Sequence, residues 1–420
     1  MRHDGKTLLV MGATPYSINV IEVAHRLGAR TIAVDPVRDH IAKRYADRAY
    51  DVDTTDIDAL EKICVAEKVD GVFTGYSDVN LLPTRRLCDR MGYPFYAGEE
   101  QILKTIDKIR FKEMCRKYDV GVVPQYKEAE LETVRYPIIV KPADSYASKG
   151  ITVCRAFPET HEAIEKARKY SPTGQIIIEK YLGGLDDVNL DYVMQNGKIL
   201  LSAVGDRFVN TYQKGLSPLT AAVVYPSRHT QEYIDLLDAK VRQMFHDEGL
   251  TNGTAFIQSF FDGEQFYFFE MGYRVGGGQS SMMIREMCDL DYVEDLINYA
   301  LSGEMDSRDL AGVVNPFFKE RACCLVPSLT QGVISRIEGL EQIRRMPECK
   351  NITQFYCEGD EVPPSTIGNL GQSFLRIHFV ADSWARINAC IAETNRCLCV
   401  ISNEGKKMIL PGGISKVDFK

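Results

Sequence analysis

Charged residues that close apolar runs carry the chemistry in this sequence. Lys141 ends "IIVKP", Glu179 ends the apolar part of "IIIEKYLGG", and Glu270 ends the aromatic run in "FYFFEMGYRVGGG", ahead of Arg274 and three glycines. Lys108 sits upstream in "IDKIRFK". Taken singly, each has an ordinary structural reading: a solvated helix lysine, a lysine stem lying along a strand end, an exposed glutamate. Taken together they suit a nucleoside triphosphate. Lys108 and Lys141 can neutralise phosphate oxygens as point charges. The small-residue loop Ser145, Ala147, Ser148 and Gly150 lets backbone N–H groups close over phosphates. The passage Glu179–Lys180–Tyr181–Leu182 can pair an adenine edge with main-chain groups, and Asp187 can accept ribose hydroxyls. Glu270 offers a hard oxygen ligand to magnesium, which takes carboxylates and phosphates together. Arg274 is placed to stabilise charge on a transferring phosphoryl group.

Three successive patterns must position these groups. In the first 100 residues, strands ("TLLVMG", "RTIAVD", "DGVFTG") alternate with helices ("SINVIEVAHRLG", "DIDALEKICVAEKV"), which predicts an open parallel α/β sheet. Gly28 stops the first helix, whose inward face is Val20, Ile21, Ala24 and Leu27. A dinucleotide fingerprint is excluded here, because "MGATPYSIN" lacks two of the three glycines that GxGxxG requires. Gly12, Asp35 and Gly75–Asp78 still mark a cleft edge at the carboxyl ends of the strands. From 106 onward the pattern becomes α+β. A helix at "DKIRFKEMCRKYDV" leads to strand, loop and strand through "YPIIVKPADSYASKGITVCR", then a helix and the strand "QIIIEKYL". Two hairpins follow, turning at "QNGK" and "FDGEQ". Residues 315–420 hold short strands, Pro/Gly turns and one helix near "DSWARINACIAETN", with Asp382 as its expected N-cap and Trp384, Ile387, Ile391 and Leu398 facing inward.

Composition narrows the partners. The 420 residues carry a net charge of −8, against nucleic acid or an anionic membrane as the main ligand. No apolar run approaches the ~18–20 residues of a membrane span, and "LLVM" near the N-terminus is too short for a signal peptide. A cytoplasmic protein is expected. The 12 cysteines form no CxxC pair and read as free, buried thiols; the seven single histidines give no zinc spacing.

The ordered set of "DK", "IIVKPADSYASKG", "IIIEKYLGG" and "FFEMGYRVGGG" resembles the ATP-grasp superfamily. The first 100 residues look like its Rossmann-like preceding domain, with "AVDPVRDHIAKRYADRAYDVD" similar to that segment. "PSLTQGVISRIEGLEQIRRMPECKNITQFYCEGDEV" resembles the C-terminal domain of the biotin-carboxylase-like and amino-acid-ligase-like branches. The resemblance implies a Rossmann-like domain over 1–105, a two-lobed ATP-grasp domain over 106–312 with a lid lobe at about 115–180, and a small C-terminal α+β domain over 313–420. It implies ATP and Mg2+ (or Mn2+) as cofactors. Phosphates would meet Lys108, Lys141, Ser145, Ser148 and Lys149; the nucleoside would meet Glu179, Lys180, Tyr181, Leu182 and Asp187. Gln258 and Glu270 would hold metal, and Arg274, Lys141 and Glu270 would act in catalysis. Small-molecule carboxylate and amine substrates would lie near Tyr76, Ser77, Asp78, Arg207, Gln213, Lys214, Arg274 and Gly277, and a homodimer is compatible with the resemblance.

Three departures from the family pattern stand out. Gln258 is neutral where glutamate is commonest; Gly272 replaces an asparagine, so a water or another side chain must replace that ligand; Tyr146 and Lys149 stand where many relatives have glycines. The implied reaction is ADP-forming ligation of a carboxylate to an amine through an acyl phosphate. Two alternatives stay open: a bicarbonate-activating carboxylase or carbamoyl-phosphate-type enzyme, and a non-catalytic ATP-binding regulatory protein with a weakened metal site.

Overall fold

The computed structural model describes residues 1–144, 149–210, 216, 218–411 and 413–418. The N-terminal pattern becomes β1 (Thr7–Met11), α1 (Ser17–Arg26), β2 (Arg30–Val34), β3 (Arg48–Tyr50), α2 (Ile57–Glu67), β4 (Gly71–Phe73) and α3 (Leu81–Met91). The four strands form a parallel sheet in the order β3-β2-β1-β4. In β1, Leu8 and Val10 enter one core while Leu9 and Met11 enter another, so both faces are covered. The short β3 escapes the sequence reading because its three residues are exposed or only half-buried.

Next come α4 (Glu99–Ile106), α5 (Lys108–Lys117), β5 (Gln125–Tyr126), β6 (Ile138–Pro142), β7 (Thr152–Cys154), α6 (Thr160–Tyr170) and β8 (Ile176–Lys180). These strands make a small antiparallel sheet, β5-β8-β6-β7, with α6 packed on it through Ala163, Ile164 and Ala167.

The largest sheet draws on the rest of the chain: β9 (Asp186–Gln195), β10 (Lys198–Asn210), β11 (Leu219–Tyr225), α7 (Thr230–Tyr233), α8 (Ala239–Asp247), β12 (Gly253–Phe261), β13 (Phe266–Gly272), α9 (Ser280–Cys288), α10 (Tyr292–Ser302), β14 (Arg321–Leu325), β15 (Gly332–Glu338), α11 (Leu340–Arg344), β16 (Cys349–Gln354), β17 (Glu361–Val362), β18 (Leu375–Ala381), α12 (Trp384–Cys397) and β19 (Cys399–Ser402). Its order is β13-β12-β9-β10-β11-β14-β18-β16, so strands from both sides of residue 313 share one antiparallel sheet. β15, β17 and β19 form a separate small sheet. The β9–β10 turn places Asn196 and Gly197 at φ 51° and 82°, the pair of positive values a two-residue hairpin loop needs.

The cap expected of Asp382 is not made. The residue at the N-cap of α12 is Ser383, which makes no side-chain cap hydrogen bond and instead donates from Oγ to Asp382 at 2.8 Å. The expected inward face holds at Ile387 and Ile391, which are fully buried. All 12 cysteines are free thiols, and Cys357 is exposed.

One packing contact fixes the geometry that follows. Phe268 of β13 is fully buried and lies parallel to Phe111 of α5, ring centroids 6.5 Å apart. This contact ties the helix that starts at Lys108 to the strand that carries Glu270. Replacing Phe268 with alanine is expected to cost about 3–5 kcal/mol in chemical denaturation; a loss below about 1 kcal/mol would show that the contact does not hold the two elements together.

Candidate functional site

A cleft of about 460 Å³ lies between the small antiparallel sheet and the large one. Lys141, Glu179 and Tyr181 line one wall, Asp187, Gln258 and Glu270 the other, and Lys108 lies at one end. Lys108 is the first residue of α5. Asp107 caps that helix, its Oδ1 accepting from the N–H groups of Ile109 at 2.8 Å and Arg110 at 3.1 Å. Lys108 Nζ is 3.8 Å from Glu270 Oε1.

At the base of the cleft a single carboxylate holds two lysines. Glu179 is 2 % exposed; its Oε2 meets Lys141 Nζ at 2.7 Å, and its Oε1 contacts Lys112 Nζ. Pairing fixes Glu179 in the sheet base, so any adenine contact from this passage falls to the backbone. Tyr181 N–H already donates to Pro137 O at 3.2 Å, and the Tyr181 ring packs over Gly183, where a Cβ would meet it at 2.2 Å. Lys112 was not legible as a site residue. It lies one turn after Lys108, beside Phe111 and Cys115 on the buried side of α5, and that spacing is the signal a sequence reading could have used. Burial pushes the Lys141 ammonium down to about 7; the charge of Lys108 adds to this and Glu270 opposes it. Burial also drives Lys112 down, and Lys141 and Arg116 reinforce it.

The metal-ligand pair depends on a β-bulge. Counting back from the β12–β13 turn, a regular register would set Gln258 opposite Phe269. The irregularity between Gln258 and Ser259 shifts the pairing, so that Gln258 faces Glu270 while Phe269 lines the same cleft. Asn189 of β9 faces Gln258 in the next register, and its Oδ1 is buried without a hydrogen-bond partner. This row of amide and carboxylate oxygens suits a hard divalent cation. Gly272 lies outside such a set: a Cβ there would sit 2.3 Å from the Phe256 ring, so an aromatic fills the place expected to need a replacement ligand. Among the described residues, no three His, Cys, Asp or Glu side chains gather as a metal-ligating group.

The arginines are paired. Arg207 Nε is 2.9 Å from Asp187 Oδ1, and Nη2 reaches Oδ2 at 2.5 Å, so the ribose candidate and a substrate candidate neutralise one another inside the cleft. Arg274 Nε is 2.7 Å from Asp78 Oδ1, and its Nη1 donates to Val275 O at 2.9 Å. This pair ties the loop after β4 to the end of β13, and the guanidinium lies 5.1 Å from the Phe256 ring centroid. Burial and Glu270 also act on Arg274, with Asp78 as the strongest influence holding it charged. Tyr76 packs against Tyr16, centroids 5.4 Å apart, and Ser77 precedes the short turn Asp78–Asn80. Around Gly277 a Cβ would meet nothing within 4 Å. Lys180 and Leu182 line the cleft and Lys149 is exposed. Ser145, Tyr146, Ala147, Ser148, Gln213 and Lys214 lie outside the described residues. Asp35, the expected cleft-edge acid, accepts from the N–H groups of Ala13 and Val37 at 2.8 Å each, and so orders the loops there.

Removing Glu179 leaves two buried ammonium groups without an anion, whereas removing Lys112 leaves Lys141 still paired. Glu179→Ala is therefore expected to lose more stability than Lys112→Met, by several kcal/mol. The reverse order in urea denaturation would contradict the pairing.

The family model described as D-ala D-ala ligase C-terminus matches residues 104–290. A formate-dependent phosphoribosylglycinamide formyltransferase of Haloquadratum walsbyi is 30% identical over 189 residues, 42% of this chain and 46% of that protein. The chain thus spans about half the length of that relative. An L-amino acid ligase from Bacillus licheniformis shares the fold with a TM-score of 0.79 at 19% identity, covering 96% of this chain and 100% of the other. The biotin carboxylase domain of Hydrogenobacter thermophilus 2-oxoglutarate carboxylase, solved with MgADP and bicarbonate, gives 0.74 at 17% identity over 96% and 91%. Among the described residues no helix is long and apolar enough to cross a membrane. Residues 104–290 thus match a ligase family model, and the chain, with its charged cleft between two antiparallel sheets, shares the fold of the L-amino acid ligase and biotin carboxylase structures.

Proposed function

We propose that the protein is an ATP-dependent, ADP-forming ligase that joins a carboxylate to an amine through an acyl phosphate. One observation carries this reading: Lys112 and Lys141 share a single buried carboxylate, Lys108 stands beside Glu270, and Lys108, Lys141, Glu179 and Glu270 border a cleft large enough for a nucleotide. Buried amines that share one carboxylate regain their charge beside a polyanionic ligand and so favour it. In this reading Lys108 and Lys141 bind phosphate oxygens, and Lys180, Tyr181 and Leu182 bracket the base. Asp187, locked by Arg207, presents a remaining lone pair to the ribose. Glu270, Gln258 and Asn189 would hold Mg2+ (or Mn2+), which when bound screens charge between polyphosphate and carboxylate.

The γ-phosphoryl group passes to the substrate carboxylate, breaking the bond to the β-phosphate oxygen and releasing ADP. The amine then attacks the acyl carbonyl, loses a proton, and phosphate leaves with the bonding pair. Arg274, fixed by Asp78, faces the charge that develops at the acyl group. The small sheet closes over the cleft and excludes water from the acyl phosphate. Residues 1–105, 106–312 and 313–420 are read as the Rossmann-like domain, the ATP-grasp domain and the C-terminal domain. The Phe256 ring beside Gly272 favours one second reading, an ATP-binding protein that does not turn over.

ADP release from MgATP, screened across amino acids, polyamines and hydroxy acids, separates the two. The ligase reading expects acceptor-dependent ADP and phosphate, abolished by Glu270→Gln by a factor on the order of 10² or more. Lys141→Ala should raise the ATP requirement ~10–100-fold, the value of one charged hydrogen bond. Tight MgATP binding with no turnover on any acceptor would leave the non-catalytic reading. Proton linkage gives a further test. With Lys141 held at about 7, it is largely neutral at pH 8, and an incoming diphosphate restores its charge. MgADP binding at pH 8 should therefore take up protons, visible as a calorimetric heat that changes with buffer ionisation enthalpy; proton release would contradict the assignment.

A further inference from the structure

Arg376 of β18 is 5% exposed, yet among the described residues no carboxylate oxygen lies within ion-pair distance of it. Its Nε donates to Tyr16 Oη at 3.3 Å and its Nη1 reaches Cys324 Sγ at 3.9 Å, both neutral groups. A guanidinium taken out of water without an anion costs several kcal/mol, and five donors cannot be satisfied by a phenol and a thiol.

The surroundings point to what is missing. Tyr16 leaves the carboxyl end of β1 and Tyr76 the carboxyl end of β4. In the order β3-β2-β1-β4 the chain reverses its direction of travel between these two strands, the place where open α/β sheets receive ligands. The Tyr16 ring packs on Tyr76 at 5.4 Å and on Phe355 at 5.1 Å, giving the guanidinium an aromatic flank. Tyr76 Oη is buried near Asn19 but outside hydrogen-bonding geometry. His378, two residues along the same face of β18, also has a buried Nε2 without a partner. Tyr76 is two residues from Asp78, which pairs with Arg274 at the end of the strand that bears Glu270. The aromatic cluster is thereby linked, through Asp78 and Arg274, to the strand that bears Glu270.

We infer that Arg376, with Tyr16, Tyr76 and Phe355, forms the subsite for the carboxylate of a small organic acid that carries an apolar or aromatic group. This rests on the ligase reading and assigns its acid-binding side chain to the C-terminal part of the chain. The guanidinium grips the carboxylate in a two-pronged pair, and the three rings cover the apolar group.

Calorimetry on the full chain with saturating MgADP tests it. L-phenylalanine, L-leucine and 3-phenylpropionate are each compared with their carboxamides. The wild type should bind at least one acid while rejecting its amide. Arg376→Met should weaken that acid about 30-fold, the loss of a charged pair, with MgADP affinity unchanged. A merely structural arginine would shift thermal stability without altering the preference for acid over amide. If Arg376→Met does not fold, Arg376→Lys keeps the charge and loses the fork, and should weaken the acid several-fold. Wild type that never distinguishes an acid from its amide, or a variant that binds the acid as tightly as wild type, overturns the subsite. Absence of MgADP binding to the wild type would instead overturn the nucleotide reading.

Discussion

One buried carboxylate that must satisfy two lysines governs the centre of this protein. Glu179 lies at the end of an apolar strand, and both Lys112 and Lys141 depend on it. Two amines on one carboxylate in a dry interior are pushed toward their neutral forms, and a further negative charge within reach restores their charge. The nearest carboxylate beyond them, Glu270, is already approached by Lys108. An acidic protein overall thus lines its cleft with lysines and arginines as well as carboxylates, which is why its net charge says little about its ligand.

Two arginines in and beside the cleft are already neutralised. Asp187 neutralises Arg207 and Asp78 neutralises Arg274, each through a two-pronged pair. These pairs also join elements distant in sequence: Arg274 and Asp78 connect the loop after β4 to the end of β13. The Phe111–Phe268 contact sets the distance between Lys108 and Glu270. Position in the cleft is therefore fixed by packing and paired charges.

Much of the site was legible because its signals are local. A lysine or glutamate that closes an apolar strand announces itself in a few residues, as Lys141, Glu179 and Glu270 do, and the strand–helix alternation of the first 100 residues needs only hydrophobic periodicity. The pairings were not legible, because they depend on register. Counting back from the Asn196–Gly197 turn sets Asp187 opposite Asp206; the bulge between Leu201 and Ala203 shifts the ladder by one and brings Arg207 there instead. The bulge at Gln258 acts in the same way on Glu270. Bulges leave no dependable local pattern, so an arginine assigned to a substrate proves to be the partner of an acid assigned to a ribose. Lys112 was missed for a related reason: helical periodicity marked its face as buried, but nothing nearby named the carboxylate that would receive it. The Asp382 cap failed because its neighbour Ser383 adopts the extended N-cap conformation first.

A crystal structure of the protein with MgADP bound would examine the central claim directly. The diphosphate should lie between Lys108 and Lys141, within hydrogen-bonding distance of both ammonium groups, with the metal on Glu270. A nucleotide seated elsewhere, with Lys141 still turned wholly to Glu179 and no phosphate oxygen near it, would contradict the proposed role of the shared carboxylate.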